Sequence, residues 1–185
     1  MSICIFPGTF NPIHEAHLKM AEFALDKFGF EKIIFIPSYL PPHKNIDKHL
    51  AEHRYEMVKL AIQNNPKFII SDIEYNSEHK SYSLITVKKI IAQYNVKEKL
   101  NFIIGTDAFE KIRSWYKIDE LKTLVHFIVF PREGAIIRKE DFNDFSFELT
   151  DMEKINFSST ELRNHNKNET IKEVRDYIEK NGLYN

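Results

Sequence analysis

The chain has little cysteine and no long apolar run. Cys4 is the only cysteine among 185 residues, so no disulfide can form within the chain and a reducing compartment is expected. No basic stretch followed by a long apolar segment opens the sequence, so we expect no signal peptide. The apolar runs are too short to span a bilayer. These absences predict a cytoplasmic protein that has no membrane partner.

The chain also has few glycines and a net charge close to zero. The 5 glycines form neither a Walker loop nor a dinucleotide-binding pattern. The 26 Lys and Arg residues nearly balance the 27 Asp and Glu residues, which leaves a formal net charge of -1. Because no whole-molecule field attracts nucleic acid, no nucleic-acid partner is expected. The sequence contains no repeat or low-complexity segment, and it is compatible with a homo-oligomer without specifying one.

Short apolar runs alternate with helical patterns along the chain. The runs that predict strands share continuous rather than alternating hydrophobicity: Ile3–Phe6, Ile33–Ile36, Phe68–Ile70, Phe102–Ile104 and Phe127–Phe130. Continuous apolar strands indicate burial on both faces. Strand–helix alternation then predicts the α/β class, with a Rossmann-like doubly wound parallel sheet and helices on both faces.

The segments between these strands show the periodicity of helices. Apolar residues recur at helical spacing from His17 to Phe28, and Gly29 stands where a C-cap glycine belongs. Further helices are predicted through 55–62 and 84–94, and a docking helix through 171–178 ends at Gly182. Residues 1–185 are predicted to form a single domain, whose C-terminal helical part starts at about residue 158.

The first strand–helix turn contains the largest group of candidate functional side chains. In parallel sheets, ligands bind beyond the carboxyl ends of the strands, which here points to the segment from Pro7 to His17. His14 and His17 lie three residues apart, so they share a face of the first helical turn. A helix N-terminus with two imidazoles suits a polyphosphate. The alternatives are one capping and one surface histidine, or a weaker metal site of only two ligands.

A second candidate phosphate site lies near the far end of the chain. Ser158 is a good N-cap residue, and Glu161 three positions later completes a capping box. The segment Ser158-Ser159-Thr160-Glu161-Leu162-Arg163 therefore predicts a helix N-terminus that carries hydroxyls and an arginine. The simpler interpretation is only that a helix starts here.

Both segments resemble a known pair of motifs. Gly8-Thr9-Phe10-Asn11-Pro12-Ile13-His14-x-x-His17 is similar to the Gly-[Thr/Ser]-Phe-Asp-Pro-x-His-x-Gly-His signature of the nucleotidylyltransferase superfamily. Residues 158–163 resemble the Ser-Ser-Thr-x-[Ile/Val]-Arg motif that closes the ATP site in that superfamily. Asn11 stands for the usual Asp, Ala16 for the usual Gly, and Pro7 and Phe157 also depart from the pattern.

Four further segments resemble the bacterial nicotinate mononucleotide adenylyltransferases, and the resemblance covers nearly the whole chain. The segments are Ile36–Lys44 with its Pro-Pro-His-Lys element, Ser81–Leu84 followed by Thr86, Ile104–Ala108 followed by Trp115, and Phe130–Gly134. The resemblance implies adenylyl transfer from ATP to nicotinate mononucleotide, which gives nicotinate adenine dinucleotide and pyrophosphate in NAD biosynthesis. It also implies Mg²⁺ with ATP as co-substrate, and no metal held by protein ligands alone.

The resemblance assigns roles to individual residues. The expected catalytic residues carry imidazole, ammonium or guanidinium groups: His17, His14, Lys44 and Arg163. The expected ATP-binding residues come from three loops: Gly8, Thr9, Phe10, His14, His17, Gly105, Asp107, Ser158, Ser159, Thr160 and Arg163. The expected acceptor-binding residues include one aromatic stacking surface, Trp115, and are Asn11, Lys44, Tyr82, Ser83, Trp115 and Arg132.

Each of these interpretations has an alternative. Trp115 could be a core residue, Lys44 and Arg132 solvated surface charges, and Asp107 a helix N-cap. At the level of function, the alternatives are an adenylyltransferase for nicotinamide mononucleotide or phosphopantetheine and a non-catalytic nucleotide sensor. An RNA-related protein with a similar His-x-x-His turn is a further alternative, but the sequence has no second basic domain for tRNA.

Overall fold

A computed structural model describes residues 2–42, 47–75, 80–132, 134–153, 160 and 170–184. Within them, six parallel strands form one sheet in the order β3-β2-β1-β4-β5-β6. The strands, in chain order, are β1 Ile3–Gly8, β2 Lys32–Pro37, β3 Phe68–Ile70, β4 Leu100–Gly105, β5 Val125–Phe130 and β6 Phe147–Leu149. The predicted fold class is confirmed, because the strand order reverses between β1 and β4 as in a doubly wound sheet.

Helices cover both faces of this sheet. They are α1 Glu15–Phe28, α2 Leu50–Ile62, α3 Ser83–Tyr94, α4 Thr106–Phe109, α5 Ile118–Leu124 and α6 Lys172–Asn181, with 3₁₀ turns at Ile112–Ser114 and Lys139–Phe142. One apolar cluster joins α1, α2 and α6 to one face of the sheet. A second cluster joins α3 and α5 to the other face. Strands buried on both sides explain the continuous apolar runs.

The ends of α1 follow from local sequence. His14 has an extended backbone (φ -147°, ψ 172°), so the helix begins at Glu15. Gly29 adopts the left-handed conformation with φ 66°, and its N–H donates to the carbonyl oxygen of Leu25 at 3.0 Å. A residue with a Cβ is strained in this conformation, so the predicted C-cap glycine is confirmed at Gly29.

The C-terminal helix α6 docks on α2, as predicted. Val174 and Ile178 are buried in the cluster that α2 also lines. The Tyr177 hydroxyl lies 2.9 Å from Nδ1 of His53 on α2. Gly182, with φ 61°, ends the helix and is followed by buried Leu183. Of the helix predicted to start at Ser158, only Thr160 lies among the described residues.

The sequence patterns missed α4, α5 and β6 and shortened several other elements. Helix α5 has seven residues and strand β6 has three, of which Glu148 is exposed. Such short elements carry too few periodic positions to be recognised. β1 also continues through Pro7 to Gly8, where the sequence predicted a stop. In the described part of the chain, no helix is both long enough and apolar enough to cross a membrane.

Candidate active site

The carboxyl ends of β1 and β4 define a crevice. These two strands are neighbours in the sheet, and their connections run to α1 and α4. At such a switch point the two connections diverge and leave a cleft between them. The predicted segments Pro7–His17 and Ile104–Ala108 both lie at this position. The sheet therefore brings together two regions that are about one hundred positions apart in the sequence.

The turn after β1 is built around Phe10. This residue has φ 47°, its side chain is 2% exposed, and its ring lies edge-on to the rings of Phe6 and His17. A Cβ on Gly8 would lie 2.7 Å from Cζ of Phe10, so only glycine leaves room for the ring to fold back. Because the Phe10 ring is buried, the contact with ATP expected at Phe10 is restricted to its backbone.

The two predicted histidines are in contact. Their ring centroids lie 3.8 Å apart with an interplanar angle of 37°. The backbone N–H of His14 donates to Nδ1 of His17 at 3.3 Å. A neutral imidazole that accepts at Nδ1 carries its proton at Nε2. His17, which is half-buried, therefore has Nε2–H as its donor at the start of α1.

His14 lies deeper in the protein than its partner. Its side chain is fully buried, and burial lowers the pKa of His14 to about 3, with a smaller contribution from the positive charge of Arg132. The ring is therefore neutral at physiological pH. His14 can contribute hydrogen bonding and can position His17, but it does not contribute a positive charge in this structure.

The ends of β4 and β5 are locked together on the other side of the crevice. The backbone N–H of Arg132 donates to Oγ1 of buried Thr106 at 2.8 Å, and Nη1 of Arg132 lies 3.6 Å from Oδ2 of Asp107. A Cβ on Gly105 would lie 2.5 Å from Oδ1 of Asp107 and 3.0 Å from Cδ of Arg132. Gly105 thus permits the close approach of both charged side chains. Arg132 also acts electrostatically on His14, so these predicted residues share one site.

Two of the residues predicted to bind the acceptor, Tyr82 and Ser83, lie where α3 begins. Tyr82 is the N-cap residue of α3, and its ring stacks on Tyr116 with centroids 4.5 Å apart. Trp115 is partly buried, and its ring centroid lies 6.1 Å from that of Phe102. Trp115 therefore has one side on the core and is not fully buried. Tyr116, which is 44% exposed, is an aromatic surface that the sequence analysis did not identify.

Several predicted residues fall outside the described part of the chain. They are Lys44, Ser158, Ser159 and Arg163. Thr160 is described and is exposed. The predicted roles of these residues stay predictions.

The C-terminus reaches the turn after β1. The Tyr184 hydroxyl donates a hydrogen bond to Oδ1 of Asn11. Asn11 thus bonds to a residue 173 positions away, and the α6 segment contributes to the shape of the first turn. Nothing in the local sequence around Asn11 indicates this contact.

A buried polar network was also missed. Arg54 and Glu74 are 0% and 7% exposed, and both bond to groups in the loops of the crevice. The available signal was the position of Arg54 on α2, because it shares the buried face of that helix with Ala51 and Val58. A charged residue on an apolar stripe requires partners inside the fold.

The described residues offer few side chains that could coordinate a metal ion. Among the described residues, no three His, Cys, Asp or Glu side chains come together. Asp107 supplies one carboxylate, and this group is already paired with Arg132. The set is compatible with an ion that is coordinated mainly by the phosphate oxygens of a nucleotide.

A family model described as cytidylyltransferase-like matches residues 5–165. This match runs from the middle of β1 past β6 and includes the residues after β1 and after β4. The chain belongs to the cytidylyltransferase-like family, and the fold, the paired histidines and the glycine turns are consistent with a nucleotidyltransferase.

Relatives that align over the full length of the chain identify which nucleotidyltransferases it belongs to. The probable nicotinate-nucleotide adenylyltransferase of Caldicellulosiruptor saccharolyticus is 40% identical over 197 residues, which cover 100% of this chain and 99% of that protein. The nicotinate-nucleotide adenylyltransferase of Bacillus subtilis is 39% identical over 189 residues, which cover 98% of this chain and 97% of that protein. The chain therefore belongs to the nicotinate-nucleotide adenylyltransferases, and the resemblance drawn from its motifs is confirmed.

A solved structure agrees with this assignment. The Plasmodium falciparum nicotinic acid mononucleotide adenylyltransferase complexed with NaAD superimposes with a TM-score of 0.78 at 25% identity. The alignment covers 98% of this chain and 96% of that one.

Proposed function

We propose that this chain transfers the adenylyl group of ATP to nicotinate mononucleotide. An oxygen of the acceptor phosphate attacks the α-phosphorus of ATP, and the bond from that phosphorus to the bridging oxygen of the β-phosphate breaks. The products are nicotinate adenine dinucleotide and pyrophosphate. Because the nucleophile is already an anion, no general base is needed, and catalysis consists of positioning and charge stabilisation. The names of the full-length relatives support the choice of acceptor.

The observation that carries the reaction class is His17 at the N-terminus of α1. Its Nδ1 accepts from the His14 backbone, which makes Nε2–H a hydrogen-bond donor. We propose that this donor contacts the α-phosphate, where negative charge develops during transfer. Backbone groups of Gly8, Thr9 and Phe10, with Gly105 and Asp107, bind the rest of ATP. The hydroxyls of 158–160, together with Lys44 and Arg163, assist at the phosphates.

The acceptor is proposed to bind near the start of α3. The Trp115 ring stacks on the pyridine ring, and the backbone N–H groups around Tyr82 and Ser83 hold its carboxylate. Asn11 and Arg132 border this region from β1 and β5. Mg²⁺ bound with ATP would supply charge neutralisation at the phosphate oxygens. The protein is proposed to work in the cytoplasm, in agreement with its single buried cysteine.

The test is pyrophosphate release from ATP and Mg²⁺ with nicotinate mononucleotide, nicotinamide mononucleotide or phosphopantetheine offered separately. Each product is identified by mass spectrometry. We expect the highest kcat/KM with nicotinate mononucleotide and a product of the mass of nicotinate adenine dinucleotide. A higher kcat/KM with another acceptor would overturn the assigned acceptor. ATP binding without turnover of any of the three would favour the nucleotide-sensor alternative.

A further inference from the structure

One buried guanidinium connects two loops at the carboxyl edge of the sheet. Arg54 is fully buried on α2. Its Nη1 donates to the carbonyl oxygen of Thr9 at 2.7 Å and to that of Ser38 at 2.6 Å, and its Nη2 donates to the carbonyl oxygen of Tyr39 at 3.2 Å. Thr9 follows β1, whereas Ser38 and Tyr39 follow β2. A single side chain therefore fixes the loop that is proposed to bind ATP and the loop that leads to Lys44.

A buried carboxylate connects the second of these loops to α3. Glu74 accepts a hydrogen bond from Oγ1 of Thr86 at 2.6 Å and one from the backbone N–H of Tyr39 at 3.3 Å. Leu40 and Ser81 form a reciprocal pair, because the Leu40 N–H donates to Oγ of Ser81 at 3.0 Å and the Ser81 N–H donates to the Leu40 carbonyl at 2.9 Å. The loop after β2 is thereby joined to the segment that enters α3 at Tyr82.

These hydrogen bonds fix the orientation of two peptide planes in the loop after β2, because each plane is bonded at both its carbonyl and its N–H. In a trans peptide, the carbonyl of one residue and the N–H of the next point in opposite directions. The Ser38–Tyr39 peptide has its carbonyl on Arg54 and its N–H on Glu74, and the Tyr39–Leu40 peptide has its carbonyl on Arg54 and its N–H on Ser81. Rotation of either plane would break bonds on both sides.

The peptide plane between Thr9 and Phe10, in the turn after β1, is also oriented by Arg54. Because the Thr9 carbonyl points at Arg54, the Phe10 N–H points to the opposite side of that peptide plane. This N–H is one of the backbone groups that we assign to ATP. The orientation of an ATP-binding donor is therefore set by a side chain of α2 that does not itself belong to the turn.

We propose that Arg54 is a positioning residue that holds the ATP-binding turn in register with the loop after β2, which is joined to the proposed acceptor site at the start of α3. The inference rests on the proposed function, since it takes the turn after β1 as binding ATP and the start of α3 as binding the acceptor. Arginine suits the role because its planar fork presents donors in fixed directions and keeps its charge when buried. A buried cation also penalises any loop conformation that removes a carbonyl from it, since desolvated charge needs its partners.

The experiment compares Arg54→Met and Arg54→Lys in the full chain with Lys59→Met, an exposed lysine on the same helix. KM for ATP, KM for the acceptor and kcat are measured separately, and the folded fraction is determined by circular dichroism. We expect Arg54→Met to raise both KM values by about 10-fold or more, the scale of lost charged hydrogen bonds. Arg54→Lys should restore part of this loss, and Lys59→Met should stay within about twofold of the parent.

A purely structural role would give a different pattern. It would lower kcat in proportion to the folded fraction and leave both KM values within twofold of the parent, which would overturn the proposal. Thr86→Val adds a second test, because it keeps the volume but removes the hydroxyl from Glu74. We expect it to raise KM for the acceptor several-fold and to leave KM for ATP within twofold. If Arg54→Met does not fold, equal effects of Thr86→Val on both KM values, or no effect, would overturn the proposal.

The proposed function can fail independently of this inference. If the parent protein turns over a different acceptor, the Arg54 variants are compared with that acceptor. If it turns over none, the dissociation constant of ATP is measured by calorimetry for the same variants. A dissociation constant that is unchanged in Arg54→Lys and Arg54→Met would then contradict the role of Arg54 in holding the ATP-binding turn.

Discussion

His17 combines partial exposure with a defined hydrogen-bonding state. Because its Nδ1 accepts from the His14 backbone, the ring is held at the start of α1 with its proton on Nε2. We expect His17→Ala to retain the fold and to lower kcat by roughly 10²–10³, the scale for one preorganised donor to a developing charge. Steady-state kinetics, with exposed Lys19→Ala on the same helix as the control, checks this. A His17→Ala enzyme within twofold of the parent would exclude the role.

His14 makes stability depend on pH. Burial lowers its pKa to about 3 in the folded protein, whereas an unfolded histidine has its ordinary pKa of 6.5. Between these values the unfolded state binds one more proton, so the free energy of unfolding falls as the pH falls below about 6.5. The contribution of this one group approaches about 1.4 kcal/mol per pH unit.

Urea unfolding at pH 7, 6 and 5 measures this dependence. The slope of unfolding free energy against pH should be shallower in His14→Gln than in the parent, because glutamine does not titrate. His126, whose pKa is also lowered by burial, is retained in both proteins and cancels in the comparison. Parallel slopes would show that His14 is accessible to protons in the folded state.

At the scale of elements, α6 packs on α2, and the segment that follows it contacts the turn after β1. Val174 is fully buried against the cluster that α2 lines, and the segment after α6 brings Tyr184 to Asn11. We expect Val174→Ala to reduce the free energy of unfolding by about 2 kcal/mol, since it removes buried methyl groups and leaves a cavity. Lys172→Ala, in an exposed ion pair on the same helix, should change it by less than about 0.5 kcal/mol. Chemical denaturation distinguishes the two, and equal losses would show that α6 is not docked.

The start of α3 and the turn before α5 form the proposed acceptor side together. Tyr82 and Tyr116 stack across these two segments, and Trp115 lies beside them on Phe102. We expect Trp115→Ala to raise KM for the acceptor by about 10-fold or more, on the scale of a lost aromatic contact, and to change KM for ATP much less. Arg113→Ala, an exposed neighbour, is the control. Equal effects on both substrates would identify Trp115 as a core residue.

At the scale of the whole molecule, nucleotide binding should stabilise the fold. A ligand that binds only the folded state at 100 times its dissociation constant adds about 2.7 kcal/mol. For a chain of this size, we expect the melting temperature to rise by about 5–10 °C with an ATP analogue whose α and β phosphorus atoms are joined by a methylene group. Differential scanning calorimetry checks this. Arg54→Met should need more analogue for the same shift, and absence of a shift in the parent would contradict ATP binding.

Strands β1 to β5, the first three helices and the glycine at the end of α1 were predictable because they depend on neighbours only a few positions away. Continuous apolar runs identified the buried strands, and the motif around Gly8 and His17 predicts a site at the first turn. Helix α5 and strand β6 were missed because seven and three residues carry too little periodicity. Their position in the fold comes from packing on β5 and its neighbours rather than from local preference.

The features of the candidate site also divide into those that depend on local sequence and those that depend on the folded chain. Sequence alone was sufficient to place His14 and His17 on one helical turn, because their spacing is local. Burial is not local, and so the neutral state of His14, the pairing of Asp107 with Arg132 and the bond from Tyr184 to Asn11 became visible only in the folded chain. Arg54 shows the reason most clearly: its three carbonyl partners come from two loops up to 45 positions away, and only the parallel sheet gathers them at one edge.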